Sequence, residues 1–277
     1  MADARTRLFS DDFDDEFPIG DDARVQAFFG RDVLRGLVAG IDEFVTTYRD
    51  GSRSSRDRAP ALLACAPWID DEQLLAKLSV FGAACVVMTK QSRSRKQVEK
   101  LKRLQEVNAT SPGLPVRPFP DLGWLAPKVD GEPLVVGPYT RTDDTVLPTI
   151  RTVGFRKKED ADLPPLMHAK LVLLGDIRWW EGEFGEEVES FSARRLWVSS
   201  ANLTESSRRS LEFGFWSEEK ALIDGAERFL LKLVAASEGI DPDADELDPE
   251  LVPFEIDDEA MWQAMADARW GDEDPDP

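Results

Sequence analysis

The residues of this chain best suited to chemistry are a histidine and a lysine two positions apart. His168 is the only histidine among 277 residues, and it lies with Lys170 in the otherwise apolar run 166–174. Such a run predicts a buried strand, and alternation of side chains along a strand places His168 and Lys170 on the same face. An unpaired ammonium there would cost several kcal/mol to desolvate. A bound phosphate would supply the missing anion beside a nucleophilic imidazole.

A second group of polar side chains follows the next predicted strand. Residues 194–200 form a short apolar run that ends in a hydroxyl and amide cluster containing Ser200 and Asn202, and Glu212 lies ten residues further on. Together with His168-x-Lys170 and the acid Asp176, this pattern resembles the HKD signature of the phospholipase D superfamily. Two positions depart from that signature, since five residues instead of four separate Lys170 from Asp176, and Ser199 replaces a glycine. The resemblance covers roughly residues 58–236.

The resemblance implies a reaction and a role for most of these residues. In the superfamily two signatures meet at one site, where one histidine attacks phosphorus and the other protonates the leaving oxygen. One chain here supplies one histidine, which cannot be nucleophile and acid at once, so we expect a homodimer with two copies of His168 at a shared site. Lys170, Asn202 and Ser200 would donate to the nonbridging oxygens. Glu212 would fix the imidazole tautomer. The scheme needs no metal ion and no cofactor.

The signature indicates a reaction class and leaves the substrate open. Our leading hypothesis is a DNA or RNA nuclease, in keeping with single-signature relatives that are often homodimeric nucleases, some of them in restriction or phage defence. One alternative is a phospholipid phosphodiesterase or transferase. Another is a regulated or inactive subunit of a larger nucleic-acid-processing complex, motivated by the shifted Asp176 and by an insert at 177–194. We interpret that insert as an extended hairpin or a lid over the site. A core histidine with only a structural role is the plain alternative to all of these.

The acidity of the chain lies in its ends. The formal net charge is −20, of which residues 1–24 carry −5 and residues 237–277 carry −15, so residues 25–236 are neutral. Acidic ends disfavour an anionic membrane surface. Within the neutral part, bases cluster between 90 and 103, and this pattern fits either a phosphate-binding strip or the solvated face of a helix. The predicted substrate contacts are Arg93, Arg95, Lys96, Arg208 and Arg209.

The remaining features concern compartment and partners. Cys65 and Cys85 lie in apolar runs and are expected to be buried free thiols. The chain starts without an apolar signal segment, and no run is long enough to span a bilayer, so we expect a cytoplasmic protein. The acidic residues 237–277 include apolar side chains in a pattern suited to a short docking helix, which would bind a protein partner, cover the basic strip, or act only as a solubilising tail.

The hydrophobic pattern favours an α/β fold. We expect a phospholipase D-like, mixed and largely parallel sheet flanked by helices, with one HKD half-site per chain. The expected domain spans 25–236, between an acidic N-terminal segment at 1–24 and the tail at 237–277. Its predicted helices are 25–48, 70–81 with a cap at Asp70 or Asp71, the basic helix, and 221–236. Its predicted strands are 61–66, 83–88, 114–119, 168–175, 194–200 and 211–217, with short strands or hairpins in 120–165.

Overall fold

The fold is built around one large mixed sheet. The computed structural model describes residues 15–19, 25–49, 57–90, 95–140, 145–153, 167–183, 185–241 and 248–270, without the side chains of 15–19, 49, 95–97 and 267–270. The strands are β1 Asp15–Ile19, β2 Val25–Gly30, β3 Arg58–Ala66, β4 Ala83–Thr89, β5 Leu114–Pro115, β6 Leu125–Pro127, β7 Val135–Val136, β8 Val146–Leu147, β9 Ile150–Val153, β10 Leu171–Glu181, β11 Glu187–Ser199, β12 Glu212–Ser217, β13 Glu238–Gly239, β14 Leu251–Pro253 and β15 Glu255–Ile256.

Nine of these strands form the main sheet, in the order β1-β2-β12-β11-β10-β3-β4-β9-β13. Only the pairs β3/β4 and β4/β9 are parallel, and the other six neighbouring pairs are antiparallel. The expected mixed α/β sheet is therefore present, but the expectation that it is largely parallel is wrong. The long antiparallel hairpin β10–β11 accounts for much of the difference.

Helices cover both faces of the sheet. They are α1 Leu34–Arg49, α2 Glu72–Leu78, α3 Arg95–Thr110, α4 Lys220–Ala235 and α5 Asp258–Trp270. The first three bury their apolar sides in one core cluster, whereas α4 packs with residues 114–122 in a second cluster on the opposite face. Strand β3 separates the two clusters, and its residues 61–66 are buried on both sides. That burial explains why the strand reads as a continuous apolar run.

The unit β3-α2-β4 is the parallel core of the sheet. Asp71 caps α2 by accepting a hydrogen bond from Leu74 N at 3.0 Å, which confirms one of the two predicted caps. Cys65 and Cys85 are buried free thiols, as expected. Burial raises the pKa of both thiols to about 12.

Two elements differ from their predicted form. The predicted helix 25–48 is a strand over 25–30, followed by a turn and α1, because Val25 to Gly30 pair in full with β12. In the poorly periodic stretch 120–165, the four residues of β9 lie inside the main sheet beside β4. Arg151 of β9 is fully buried and donates to Ser237 and Glu250. It therefore connects β9 to the segment after α4.

The region predicted as an acidic tail contains ordered elements over 238–241 and 248–270. Strand β13 is the edge of the main sheet, β14 pairs with β6, and β15 pairs with β7. Helix α5 follows, and Trp262 on it is exposed. Strands β14 and β15 lie beside residues 125–136, whereas the segment around β13 contacts the basic region. Glu238 pairs with Lys90, and Ile240 O accepts from Gln105 Nε2 of α3 at 2.9 Å. Within the described residues, no helix is long and apolar enough to cross a bilayer.

Candidate active site

The candidate site lies at the ends of three neighbouring strands in the interior of the main sheet. Strand β10 starts at Leu171, β11 ends at Ser199, and β12 starts at Glu212. Because these neighbours are antiparallel, the start of one strand lies beside the end of the next. His168 and Lys170 lie just before β10, so the predicted strand 168–175 begins three residues later than expected. Apart from Asp176, the residues of the predicted signature reach these strand ends from three separate segments.

His168 and Lys170 are in direct contact. Lys170 Nζ lies 3.1 Å from His168 Nδ1 and donates to the carbonyl oxygen of His168 at 2.9 Å. The imidazole is exposed, whereas Lys170 retains only 9% of its accessible surface. The exposed ring therefore stands at the surface with a largely buried cation behind it. The preceding segment is held to β4 by Thr89, whose hydroxyl donates to Met167 O at 2.8 Å.

Lys170 carries its charge in an unfavourable place. Burial lowers the pKa of Lys170, and the nearby Glu212 carboxylate and Cys65 thiol oppose this effect without cancelling it. A second anion beside Lys170 would therefore stabilise the ammonium further. This is the property expected of a lysine that binds a phosphate oxygen.

Ser200 and Glu212 form the second half of the site. Ser200 Oγ donates to Glu212 Oε2 at 2.5 Å and accepts from Phe213 N at 3.0 Å. Ser199 N donates to Lys170 O at 3.2 Å, so this half of the site is joined to the segment that carries His168 and Lys170. The structure thus brings His168, Lys170, Ser200 and Glu212 together.

Asn202 lies in the turn that follows Ser200. It is half-buried, and its side-chain oxygen has no hydrogen-bond partner within the described ranges. Ser199 stabilises this turn, because its hydroxyl donates to Phe213 O and accepts from Ala201 N, both at 2.9 Å. A carboxamide can donate two hydrogen bonds as well as accept, so Asn202 has unused capacity at this edge.

The contact between Lys170 and His168 has a consequence for the imidazole proton. A charged lysine can only donate, so Nδ1 accepts from it and a neutral imidazole keeps its proton on Nε2. In that tautomer His168 is a proton donor at Nε2. To become a nucleophile at Nε2, the ring must move its proton to Nδ1, which requires Lys170 to turn toward another acceptor.

Asp176 lies away from the strand ends that form the candidate site. It lies on β10 six residues beyond Lys170, which corresponds to about 20 Å along an extended strand. Its carboxylate is almost fully buried and accepts from Arg194 Nε at 2.7 Å and Arg178 Nε at 2.9 Å. Burial raises its pKa, but the two arginines outweigh burial and hold the pKa of Asp176 below its usual value.

The two arginines after the Asn202 turn have different environments. Arg208 donates to Asp71, Asp32 and Gln73, with 2.7 Å to Asp32 Oδ1 and 2.9 Å to Asp71 Oδ1. These carboxylates raise its pKa further, and the guanidinium is committed to holding the turn. Arg209 is exposed. Pattern reasoning missed the Asp32 and Asp71 partners because they lie 176 and 137 residues away in the chain.

Two basic side chains of helix α3 form ion pairs with acids outside the helix. Lys100 pairs with Asp70 and Arg103 with Glu72, each at 2.8 Å. Leu101 and Leu104 are buried on the opposite side of the helix, as expected. Of the predicted contacts, Arg93 lies outside the described residues, and Arg95 and Lys96 are described only as the first residues of α3.

The predicted insert 177–194 is the outer half of the β10–β11 hairpin, which confirms the hairpin and not the lid. It turns at residues 182–186, ten or more residues of strand away from His168, and pairs with β3 down to Arg58. It therefore extends away from the candidate site. Across the described ranges, no group of three His, Cys, Asp or Glu side chains is arranged to hold a metal ion.

Solved structures similar to this one include the proteins Nuc and NucT and a polyphosphate kinase. Nuc from Salmonella typhimurium, described as a phospholipase D family member, is 9% identical with a TM-score of 0.38, over 78% of this chain and 97% of that one. NucT from Helicobacter pylori is 8% identical with a TM-score of 0.37, over 78% and 98%. Polyphosphate kinase from Porphyromonas gingivalis is 11% identical with a TM-score of 0.36, over 74% of this chain and 25% of that one.

These similarities are of the kind expected from the sequence and concern the fold alone. No protein-family model and no curated protein matches the sequence.

Proposed function

We propose that this chain is a metal-independent phosphodiesterase that cleaves DNA or RNA through a phosphohistidine intermediate, at a site shared by two copies of the chain. The observation that carries the proposal is the exposed His168 imidazole with the buried Lys170 ammonium 3.1 Å from its Nδ1. A nucleophile and a cation in contact at a surface edge suit attack on an anionic phosphorus centre. The neighbouring Ser200, Asn202 and Glu212 match the signature that the sequence resembles.

The reaction begins when a phosphodiester enters the site. Its nonbridging oxygens are charged acceptors and attract Lys170 more strongly than the neutral Nδ1 does. Nδ1 can then carry the ring proton, with Glu212 as the carboxylate that accepts from it, and Nε2 becomes the nucleophile. The bond from Nε2 to phosphorus forms as the bond to the leaving oxygen breaks. The imidazolium of the second copy gives its proton to that oxygen.

The second step regenerates the enzyme. A water molecule attacks phosphorus, and the bond between phosphorus and Nε2 breaks. The now neutral imidazole of the second copy takes a proton from the attacking water. Lys170 and Asn202 donate to the nonbridging oxygens in both steps, where charge develops as phosphorus becomes five-coordinate.

The surface beside the site favours the shared arrangement. Leu211 and Phe213 flank Glu212 and are 51% and 43% exposed. Apolar side chains next to a charged site are the kind of surface that a twofold-related copy covers. The same contact would bring the two exposed imidazoles toward one another.

A nuclease assay with a chemical trap tests the proposal. Purified protein is incubated with labelled DNA and RNA in EDTA, and an alkali-stable, acid-labile phosphoprotein is sought after rapid quenching. Wild type should cleave at least one substrate and His168→Ala should not. Intact substrate together with no trapped phosphohistidine would remove the proposal.

A mixing experiment tests the shared site. Unfolding and refolding equal amounts of wild type and His168→Ala together should leave about a quarter of dimers with two histidines, so activity per wild-type chain should fall by about half. Undiminished activity per wild-type chain would show that one chain is sufficient. Refolded wild type alone is the control for losses during the procedure.

A further inference from the structure

A cleft lies beside the outer part of the β10–β11 hairpin, between α1 and the start of α4 and away from the strand ends that hold His168. Its volume is about 1010 Å³. The last turns of α1, the beginning of β3 and the outer part of the β10–β11 hairpin form most of its walls, and the start of α4 completes them. Asp176 lines it, about 20 Å from Lys170 along β10.

A β-bulge concentrates positive charge in this cleft. The register of β10 and β11 shifts between Leu174 and Gly175, so Arg194 is the extra residue on β11. Side chains normally alternate between faces, but the bulge lets the consecutive residues Arg194 and Arg195 both face α1. Arg195 reaches Glu43 on α1 at 2.9 Å, and Arg194 reaches Asp176 at 2.7 Å.

Three arginines share the single carboxylate of Asp176. Arg178 and Arg194 donate to it through Nε, and Arg58 Nε lies 4.0 Å from it. Burial and the charge of Asp176 raise the pKa of Tyr48 to about 12. The terminal nitrogens of the three guanidinium groups have no hydrogen-bond partner within the described ranges, and these side chains are 35% to 41% exposed. The carboxylate thus orients three cations whose donating ends remain available.

The other charged residues that line the cleft are two bases and four acids, of which Glu227 is one. Arg195 pairs with Glu43 and lies 3.9 Å from Glu218, and Lys220 pairs with Asp224 at 2.6 Å. Five bases and five acids therefore line the cleft as a whole, and its positive charge is concentrated at the three arginines around Asp176. Arginine forks match the geometry of phosphate oxygens.

Aromatic side chains stand beside the arginines. Phe44 and Tyr48, one turn apart on α1, line the cleft with ring centroids 5.3 Å apart. Aromatic rings offer a stacking surface to a nucleobase, which is worth about 1–3 kcal/mol per base in single-stranded nucleic acid complexes. A ligand with a planar base and a phosphate would use both features.

We propose that this cleft is a binding site for a nucleoside phosphate, separate from the His168 site. The terminal nitrogens of Arg58, Arg178 and Arg194 bind the phosphate oxygens, and Phe44 and Tyr48 contact the base. The proposal goes beyond the phosphodiesterase activity and does not depend on it.

Calorimetric titration of the full chain tests this site with two probes, ADP and inorganic pyrophosphate. Both should bind, with ADP tighter because it adds the base. Arg194→Gln should weaken both by about 10- to 100-fold, the loss of one charge-assisted hydrogen bond. Arg35→Gln, an exposed arginine at the other end of α1, is the matched control and should change binding by less than about twofold.

Further variants separate the outcomes. Phe44→Ala should weaken the binding of ADP and leave the binding of pyrophosphate unchanged. Equal affinity of the wild type for the two probes would overturn the assignment to a nucleoside. Arg178→Gln repeats the charge test if Arg194→Gln does not fold. Binding lost with Lys170→Met and retained in Arg194→Gln would place the ligand at the His168 site. No heat with either probe at millimolar concentration would overturn the proposal, whatever the nuclease assay shows.

Discussion

Lys170 Nζ lies 3.1 Å from His168 Nδ1, so the only histidine of the chain is in contact with a largely buried cation. In the proposed mechanism the ammonium binds phosphate, whereas its withdrawal from Nδ1 is needed before Nε2 can attack. Substrate binding meets both requirements, because the phosphate gives Lys170 a better acceptor than the imidazole.

The first prediction concerns the alkaline side of the pH–rate profile. Burial lowers the pKa of Lys170 from 10.5, so the ammonium is lost, and kcat/KM falls, at a pH below 10.5. Glu212 raises the Lys170 pKa, so Glu212→Gln should move this decline to lower pH. The check is a profile of kcat/KM against pH for wild type and Glu212→Gln.

Two variants serve as controls for that profile. Lys170→Met removes the ammonium at every pH and should lower kcat by about 10²- to 10³-fold, with no alkaline decline from Lys170. Lys170→Arg keeps a charge throughout and should also lack that decline. A decline at the same pH in wild type and Glu212→Gln would show that the Lys170 ammonium does not set it.

Much of the candidate site could be predicted from sequence, because local rules suffice for it. The spacing of His168 and Lys170 placed them together, and Ser200 and Glu212 meet because they stand at adjacent ends of paired strands. Strand β2 was not predictable in the same way. Its apolar residues, with those that follow in α1, fit a helical period, and its strand form depends on pairing with β12 nearly 190 residues later.

The partners of buried charges were also beyond local reasoning. Asp176 follows Lys170 at almost the signature spacing, which suggested the same site. The two residues are instead six positions apart along β10. The arginines that pair with Asp176 come from β3, β10 and β11. Strand β9 falls in the stretch where short strands were expected, but its place inside the main sheet was not predictable, because four residues carry too little periodicity to identify a central strand.

The second prediction concerns Asp176 and stability. Asp176→Asn removes the charge that three arginines surround, and should lower the free energy of unfolding by about 3 kcal/mol. Because its pKa is held below the usual value, the stabilisation by Asp176 is present at neutral pH and is lost as pH falls through that lowered value. Urea unfolding at several pH values measures this, and the difference between wild type and variant should shrink toward low pH.

A constant difference across that pH range would contradict the electrostatic account of Asp176. Asp224→Asn is a matched control, because Asp224 pairs with a Lys220 side chain that is 83% exposed. Its effect on unfolding should stay below about 1 kcal/mol.

The third prediction distinguishes Arg208 from Arg209. Arg208→Gln leaves the fully buried Asp71 carboxylate without its main partner, and should lower the free energy of unfolding by about 3 kcal/mol. Arg209→Gln should leave stability within about 0.5 kcal/mol and weaken nucleic acid binding, with a smaller salt dependence. Thermal unfolding and binding titrations at several salt concentrations measure the two effects. Equal effects of both variants on stability would contradict the assignment of Arg208 to the turn.

The fourth prediction concerns the packing of α1 on the sheet. A Cβ at Gly40 would lie 2.4 Å from the ring of Trp216, which is itself buried and donates to Gly36 O at 3.0 Å. Gly40→Ala must therefore displace the indole and should destabilise the protein by about 1–3 kcal/mol. Gly225→Ala on α4 is the matched control, because nothing lies within 4 Å of its Cβ position. That variant should stabilise by up to about 1 kcal/mol through helix propensity, and equal melting temperatures for the two variants would contradict the close approach of α1 to β12.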